Sequence, residues 1–240
     1  MRQISSQAVL LLAATVLLSG CPSHTRMPAA EQSAIQDALR HRSRQLSVSM
    51  YQSPFFRDGS YTLLLDQRPE DVDLLRNPRG ERMHPGEATG ILPAGTNVRI
   101  TEIQFATASN VSSRSIMTPR FFTWVIVDVP GEERDHVIVI RDEPDSHERF
   151  EYFLDRFLTT DDVAGSLASY PEPVRTAIKE KRLVEGMDVD AVRMAWGNPL
   201  QVTRDFDKGI QLDVWMFEGD KRRASFRDEK LISWSEDPSD

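Results

Sequence analysis

The sequence predicts a mixed fold, in which an all-β middle domain is followed by a two-layer α+β domain made of two helices and an antiparallel meander. Three observations predict it. Between residues 60 and 141, β-branched and aromatic runs alternate with Gly, Pro and Asn clusters, the chemistry of strands and turns. From residue 147 the period becomes helical, with Phe150, Phe153, Leu154, Phe157 and Leu158 at i, i+3, i+4, i+7 and i+8. From residue 171 two helical stripes precede a series of strand-like runs, an order that places helices on one face of a sheet.

The chain starts with Arg2 and an uncharged apolar run over residues 8–18, about half the length of a membrane-spanning helix. This is the layout of a secretory signal peptide. The run closes on Leu18-Ser19-Gly20-Cys21, which contains the only cysteine of 240 residues. These four residues resemble a bacterial lipobox. That resemblance implies removal of residues 1–20 and acylation of Cys21. Each buried methylene of a lipid chain contributes about 0.8 kcal/mol, and more than one chain makes a stable anchor. Cys21 is therefore expected to be a lipid attachment site and not a catalyst. Pro22, in place of an inner-membrane aspartate, directs the expected address to the outer membrane.

Residues 21–30 read as a polar tether. Over residues 31–47, Ile35, Ala38, Leu39 and Leu46 share one loose helical face, although Arg40, His41, Arg42 and Arg44 also suit a solvated basic segment. The β-rich domain is expected over residues 50–145. Within it Val98 and Ile100 fall on one parity and Ile103 and Phe105 on the other, so a bulge near Thr101 or Glu102 is needed to turn all four inward. Residues 121–127 hardly alternate, the pattern of a central strand covered on both faces. Leu92-Pro93-Ala94-Gly95-Thr96-Asn97-Val98-Arg99-Ile100, with the later Trp124-Val125, resembles small bacterial SH3-like barrels. That resemblance implies a compact β module. Connecting helices are expected over residues 147–170.

In the last domain, residues 171–240, Pro173 suits the first turn of a helix whose apolar face carries Val174, Ile178 and Leu183. Gly186 interrupts it. Asp188 suits an N-cap, Val189, Val192, Ala195 and Trp196 form the second stripe, and Gly197 and Pro199 stop it. Strands are expected over residues 201–206, 210–217, 222–227 and 231–234, the first two joined by an Asp207-Lys208-Gly209 turn.

Leu183-Val184-Glu185-Gly186-Met187-Asp188, then Val192, then Trp196-Gly197-Asn198-Pro199-Leu200 is similar to the BamE family, also called SmpA/OmlA. Trp215-Met216-Phe217 and Ala224-Ser225-Phe226 match its later strands. Asp228-Glu229-Lys230 stands where the family has an Asp-Gly or Asn-Gly turn, so a looser hairpin is expected there. The resemblance implies a lipoprotein accessory of the complex that inserts β-barrels into the outer membrane, without chemistry of its own. Asp188, Val192, Trp196, Gly197, Pro199, Trp215, Phe217 and Phe226 all have structural reasons for their identity. Partner contact is expected from the Gly186-Met187 corner and from the sheet edge, because Met is flexible and polarizable.

Composition points the same way. A formal charge of −8 argues against nucleic acid as a partner. The five histidines show no metal-ligand spacing, and no nucleophile elbow, phosphate loop or dinucleotide fingerprint is present. The acidic Asp142, Glu143, Asp145 and Glu148 lack the spacing and central Gly of a calcium loop. No cofactor or metal is expected. The expectation is a non-catalytic, lipid-anchored scaffold facing the periplasm, with a protein partner in the envelope. Two other readings stay open. An inhibitor of a secreted hydrolase would expose Trp215, Phe217 and Trp234 together, and a cell-wall tether would use the SH3-like region.

Overall fold

The computed structural model describes residues 25–56, 58–75, 79–114, 121–207, 210–217 and 222–236. The expected signal peptide, Leu18, Ser19, Gly20 and Cys21, and Lys208-Gly209 of the expected turn lie outside the described residues.

The order is α1 (Ala29–Leu39), β1 (Ser43–Leu46), β2 (Met50–Phe55), β3 (Asp58–Leu65), a 3-10 turn at Pro69–Asp71, β4 (Gly90–Leu92) and β5 (Asn97–Gln104). Then come α2 (Ala108–Ser113), β6 (Thr123–Asp128), β7 (His136–Ile140), α3 (His147–Leu154), β8 (Leu158–Thr159) and α4 (Val163–Ser169). The last elements are α5 (Glu172–Lys179), α6 (Val189–Trp196), β9 (Gln201–Asp207), β10 (Ile210–Met216), β11 (Arg223–Arg227) and β12 (Lys230–Ser235). The fold is mixed α/β. It holds a large curled sheet in the order β4-β2-β3-β7-β6-β5-β1-β8 and a second sheet in the order β12-β11-β10-β9.

Within the large sheet every pairing is antiparallel except β3 with β7. Both faces are covered. On one face Ile35 and Leu39 of α1 and Phe150, Phe153 and Leu154 of α3 pack with Val125, Val127, Ile138 and Ile140. On the other, Phe55, Leu63, Val72 and Leu74 close over Trp124, Ile126, Val137 and Val139. The non-alternating β6 is thus a central strand, as its composition requires. The β5 pairing skips from Ile100↔Val127 to Glu102↔Ile126, which leaves Thr101 as a bulge. Val98, Ile100, Ile103 and Phe105 consequently share one core.

Three local expectations need correction. The helix expected over residues 31–47 ends at Leu39, because Arg40 is extended and His41 takes φ 63°. The chain then becomes β1, which pairs with both β5 and β8 and buries Leu46 in the sheet core. A two-sided backbone ladder outweighs the weak helical spacing, and Ala38 of that supposed face is exposed. The polar tether is also shorter than residues 21–30. Met27 is buried, its carbonyl accepts from Gln32 Nε2, and Arg26 lies 3.6 Å from Glu143. Lastly, α3 stops at Leu154, and Leu158 is buried as a strand residue opposite Leu46.

The C-terminal unit follows the expected order of helix, helix and meander. Asp188 caps α6, its carboxylate accepting from the Ala191 amide at 2.9 Å. Gly197 ends the helix at φ 87°, a conformation that favours glycine. Its missing side chain leaves room for Asp66, whose Oδ2 would lie 3.3 Å from a Cβ there. The β11–β12 hairpin is tight, not loose. Asp228 and Glu229 both take positive φ, as a two-residue hairpin requires, and Asp228 Oδ1 accepts from the Gln211 amide.

Candidate functional site: the seam between the sheets and the open strand

The large-sheet unit meets the helices of the C-terminal unit at Ser49 and Lys181. Ser49 lies just before β2, and its hydroxyl donates to Ile178 O at 2.7 Å while accepting from the Ala94 amide at 2.9 Å. Its own amide donates to Met194 O. Lys181 follows α5 in a left-handed turn, φ 55°, that aims its side chain into this joint. The ammonium donates to Ser49 O at 2.5 Å and to Ala195 O at 2.8 Å, and lies 5.2 Å from the centre of the Tyr51 ring. Burial pushes its pKa down to about 7; Asp66 opposes that fall and Arg222 adds to it. The Trp196 indole donates to Lys181 O, so helix, turn and seam form one network.

Beside the seam opens a cleft of about 600 Å³. Its walls carry Asp155, Asp161 and Asp190 with Arg156 and Arg193, together with Tyr170. The Asp155 carboxyl is raised by burial and by nearby Glu151. Tyr170 donates to Asp188 Oδ1 and is itself raised, mainly by burial. Acids and bases of both signs alternate here, with Arg193 already held by Asp190 at 3.0 Å. The arrangement suits a polar joint between two packed units. Among the described residues, no group of three His, Cys, Asp or Glu could hold a metal ion. No described helix is long and apolar enough to cross a membrane.

The residues singled out in the C-terminal domain divide clearly. Val192, Trp196, Trp215, Phe217 and Phe226 lie in one core with Ala191, Ala195 and Leu231. The Trp196 and Phe217 rings meet edge-on at 5.3 Å, and the Trp215 and Phe226 rings lie tilted by 45° at 4.6 Å. Pro199 is half-buried in the turn after α6. Met187 corrects the expected contact corner, because it is only 1% exposed and belongs to that core. The cause is a backbone clasp. Gly186 donates to Leu231 O, and the Leu231 amide donates to Met187 O, which draws the corner against β12. Gly186 stays exposed at φ 83°. Of the aromatic trio that an inhibitory sheet would present, only Trp234 is exposed.

The expected sheet edge is present. Among the described residues, β9 ends the second sheet and pairs only with β10. Residues 200–206 are all exposed, with Leu200 at 68% and Phe206 at 64%. Arg204 of this strand is fixed by a bidentate pair to Asp213, at 2.9 and 2.8 Å. That pair holds the Asp213 carboxyl below the usual carboxylate range, with burial opposing it. The edge is therefore braced by its neighbour while its outer backbone faces solvent.

Ser49 and Lys181 were not among the residues singled out in the sequence. Nothing in the local pattern marks them, since a single lysine after a helix reads as surface charge. Comparison with protein-family models, with curated proteins and with solved structures finds no match.

Proposed function

We propose that this chain is a lipid-anchored, non-catalytic accessory lipoprotein of the bacterial outer membrane. It faces the periplasm and serves the assembly of β-barrel outer-membrane proteins by offering a protein partner the open edge of its second sheet. The observation that carries the reading is β9, an exposed strand at the end of a braced sheet, with Leu200, Val202 and Phe206 all exposed. Such an edge takes an added strand through main-chain hydrogen bonds, and alternate side chains set the preference. The lipobox-like Leu18-Ser19-Gly20-Cys21 supports the address, and the BamE-like residues around α6 support the machinery.

The test is crosslinking and capture from native membranes. Wild type should retain a component of the barrel-insertion machinery. Phe206→Glu should lower that capture several-fold while leaving thermal stability nearly unchanged, because Phe206 has little core to lose. Equal capture by both proteins would remove β9 from the interface. Absence of any such component from the wild-type eluate would overturn the functional reading.

A further inference from the structure

The outer face of the second sheet carries a pattern that the partner edge does not use. In β10 the inward residues are Gln211, Asp213 and Trp215, and Ile210, Leu212, Val214 and Met216 point the other way. Four apolar side chains therefore form a stripe on a face that no described helix covers. Ile210 is 41% and Val214 37% exposed, with Leu212 and Met216 half-buried between neighbours.

The flanks of the stripe are polar, and their charges are ordered. Directly paired residues on antiparallel strands share a face. Reading across the sheet, Asp205, Leu212 and Arg227 stand in one row. Thr203, Val214 and Ser225 form the next, and Gln201, Met216 and Arg223 the third. The β9 flank is thus acidic or neutral, and the β11 flank is basic. Among the described residues neither Asp205 nor Arg227 has an ion-pair partner, and both are exposed.

We infer that this face binds a second copy of the same chain, in a two-fold dimer whose axis runs along β10. Rotation about that axis lays one β10 stripe over the other and exchanges the two flanks. Asp205 of each copy then faces Arg227 of its mate at the same level, Thr203 faces Ser225, and Gln201 faces Arg223. The other in-plane axis, across the strands, would set Arg223 against Arg227 and oppose like charges. Charge thus selects both the occupant and the axis. An isologous contact of this kind is closed, so it stops at two copies. Two faces packed this way keep their strands within about 30° of each other, close enough for a long arginine to reach its carboxylate.

The contact is small. Rotation about β10 overlaps three strands, β9, β10 and β11, and leaves β12 outside. At about 4.8 Å spacing, with seven residues at about 3.4 Å, the face is roughly 14 by 24 Å, smaller than a standard specific interface. The dimer should therefore depend on concentration, which confinement to a membrane surface would raise.

The experiment is sedimentation of the full chain in detergent over a range of micromolar concentrations, with a thermal melt of every variant. Wild type should pass from monomer to dimer. Asp205→Arg and Arg227→Asp alone should each weaken association by about tenfold or more, and the double exchange should recover most of the loss. All three should melt like wild type, since both positions are exposed. A wild type that stays monomeric throughout would overturn the inference. So would single exchanges that leave the dimer intact, or a double exchange no better than the singles, because either would place the contact elsewhere.

Discussion

At the scale of single residues, Lys181 sets the terms of the seam. Two carbonyls and an aromatic face hold its ammonium, yet burial still pushes its pKa down to about 7 from an ordinary 10.5. Below pH 7 the group is charged in both folded and unfolded chains, and the full cost of burying that charge is present. Between about 7 and 10.5 the folded chain sheds the proton first, so the cost falls and stability rises with pH. Lys181→Met should remove that rise, visible as a flatter plot of urea midpoint between pH 7 and 10 than wild type shows. Parallel plots would mean that the amine keeps its ordinary proton affinity in the fold. Trp196 is a simpler case, at 2% exposure with its indole nitrogen satisfied by Lys181 O. Trp196→Ala should cost about 3–5 kcal/mol in equilibrium unfolding, the usual range for deleting a large buried aromatic. A loss under about 1 kcal/mol would show that the site collapses around the gap. These residues differ in legibility for a physical reason. Trp196 repeats a helical period that burial imposes, whereas the burial of Lys181 depends on a left-handed turn and on strands far away in the chain.

Elements were legible where their pattern recorded two constraints at once. In β5 the parity change between Ile100 and Ile103 could be reconciled with one core only by an extra residue, and Thr101 supplies it. Deleting Thr101 should therefore restore an unbroken ladder in which Val98, Ile100, Ile103 and Phe105 alternate regularly and all stay inward. A small change of urea midpoint is expected, and a large loss would show that the sheet needs the twist of the bulge itself. The β11–β12 hairpin shows the opposite situation. Asp228 and Glu229 lack the glycine that advertises a tight turn, yet both adopt the left-handed conformation. The paired strands on either side impose it. Glu229 pays for that position in strain, at φ 64°, so Glu229→Gly should stabilise the protein by roughly 0.5–1 kcal/mol. An unchanged melting temperature would mean that the Gly entropy cost cancels the relief. The segments misread as helix, residues 40–47 and 155–158, share one cause. β1 and β8 are short, they pair with each other, and neither contains enough alternation to outvote a neighbouring helical stripe.

At the scale of the whole molecule, the joint between sheets could not be read from local periodicity, because its contacts link residues more than a hundred positions apart. Ser49 with Ile178 and Lys181 with Ser49 are of this kind. The mixed class and the order of the last six elements could be read, since each depends on a stripe and a turn lying close together in sequence. The proposed anchor is a separate matter, because it would depend on chemistry at Cys21. Thr25, the first described residue, lies four positions beyond it, and four residues extend to about 15 Å at most. An acylated Cys21 would therefore hold the folded body against the bilayer instead of at the end of a long tether. The net charge of −8 gives no electrostatic reason to stay on an anionic surface. On the proposed reading lipid would supply the attachment, and a high-salt wash should leave the wild-type protein in the outer-membrane fraction. Cys21→Ala should accumulate as uncleaved precursor or move to the soluble fraction. If it instead matures and fractionates as wild type does, the anchor lies elsewhere and the folded body has no fixed distance from the membrane.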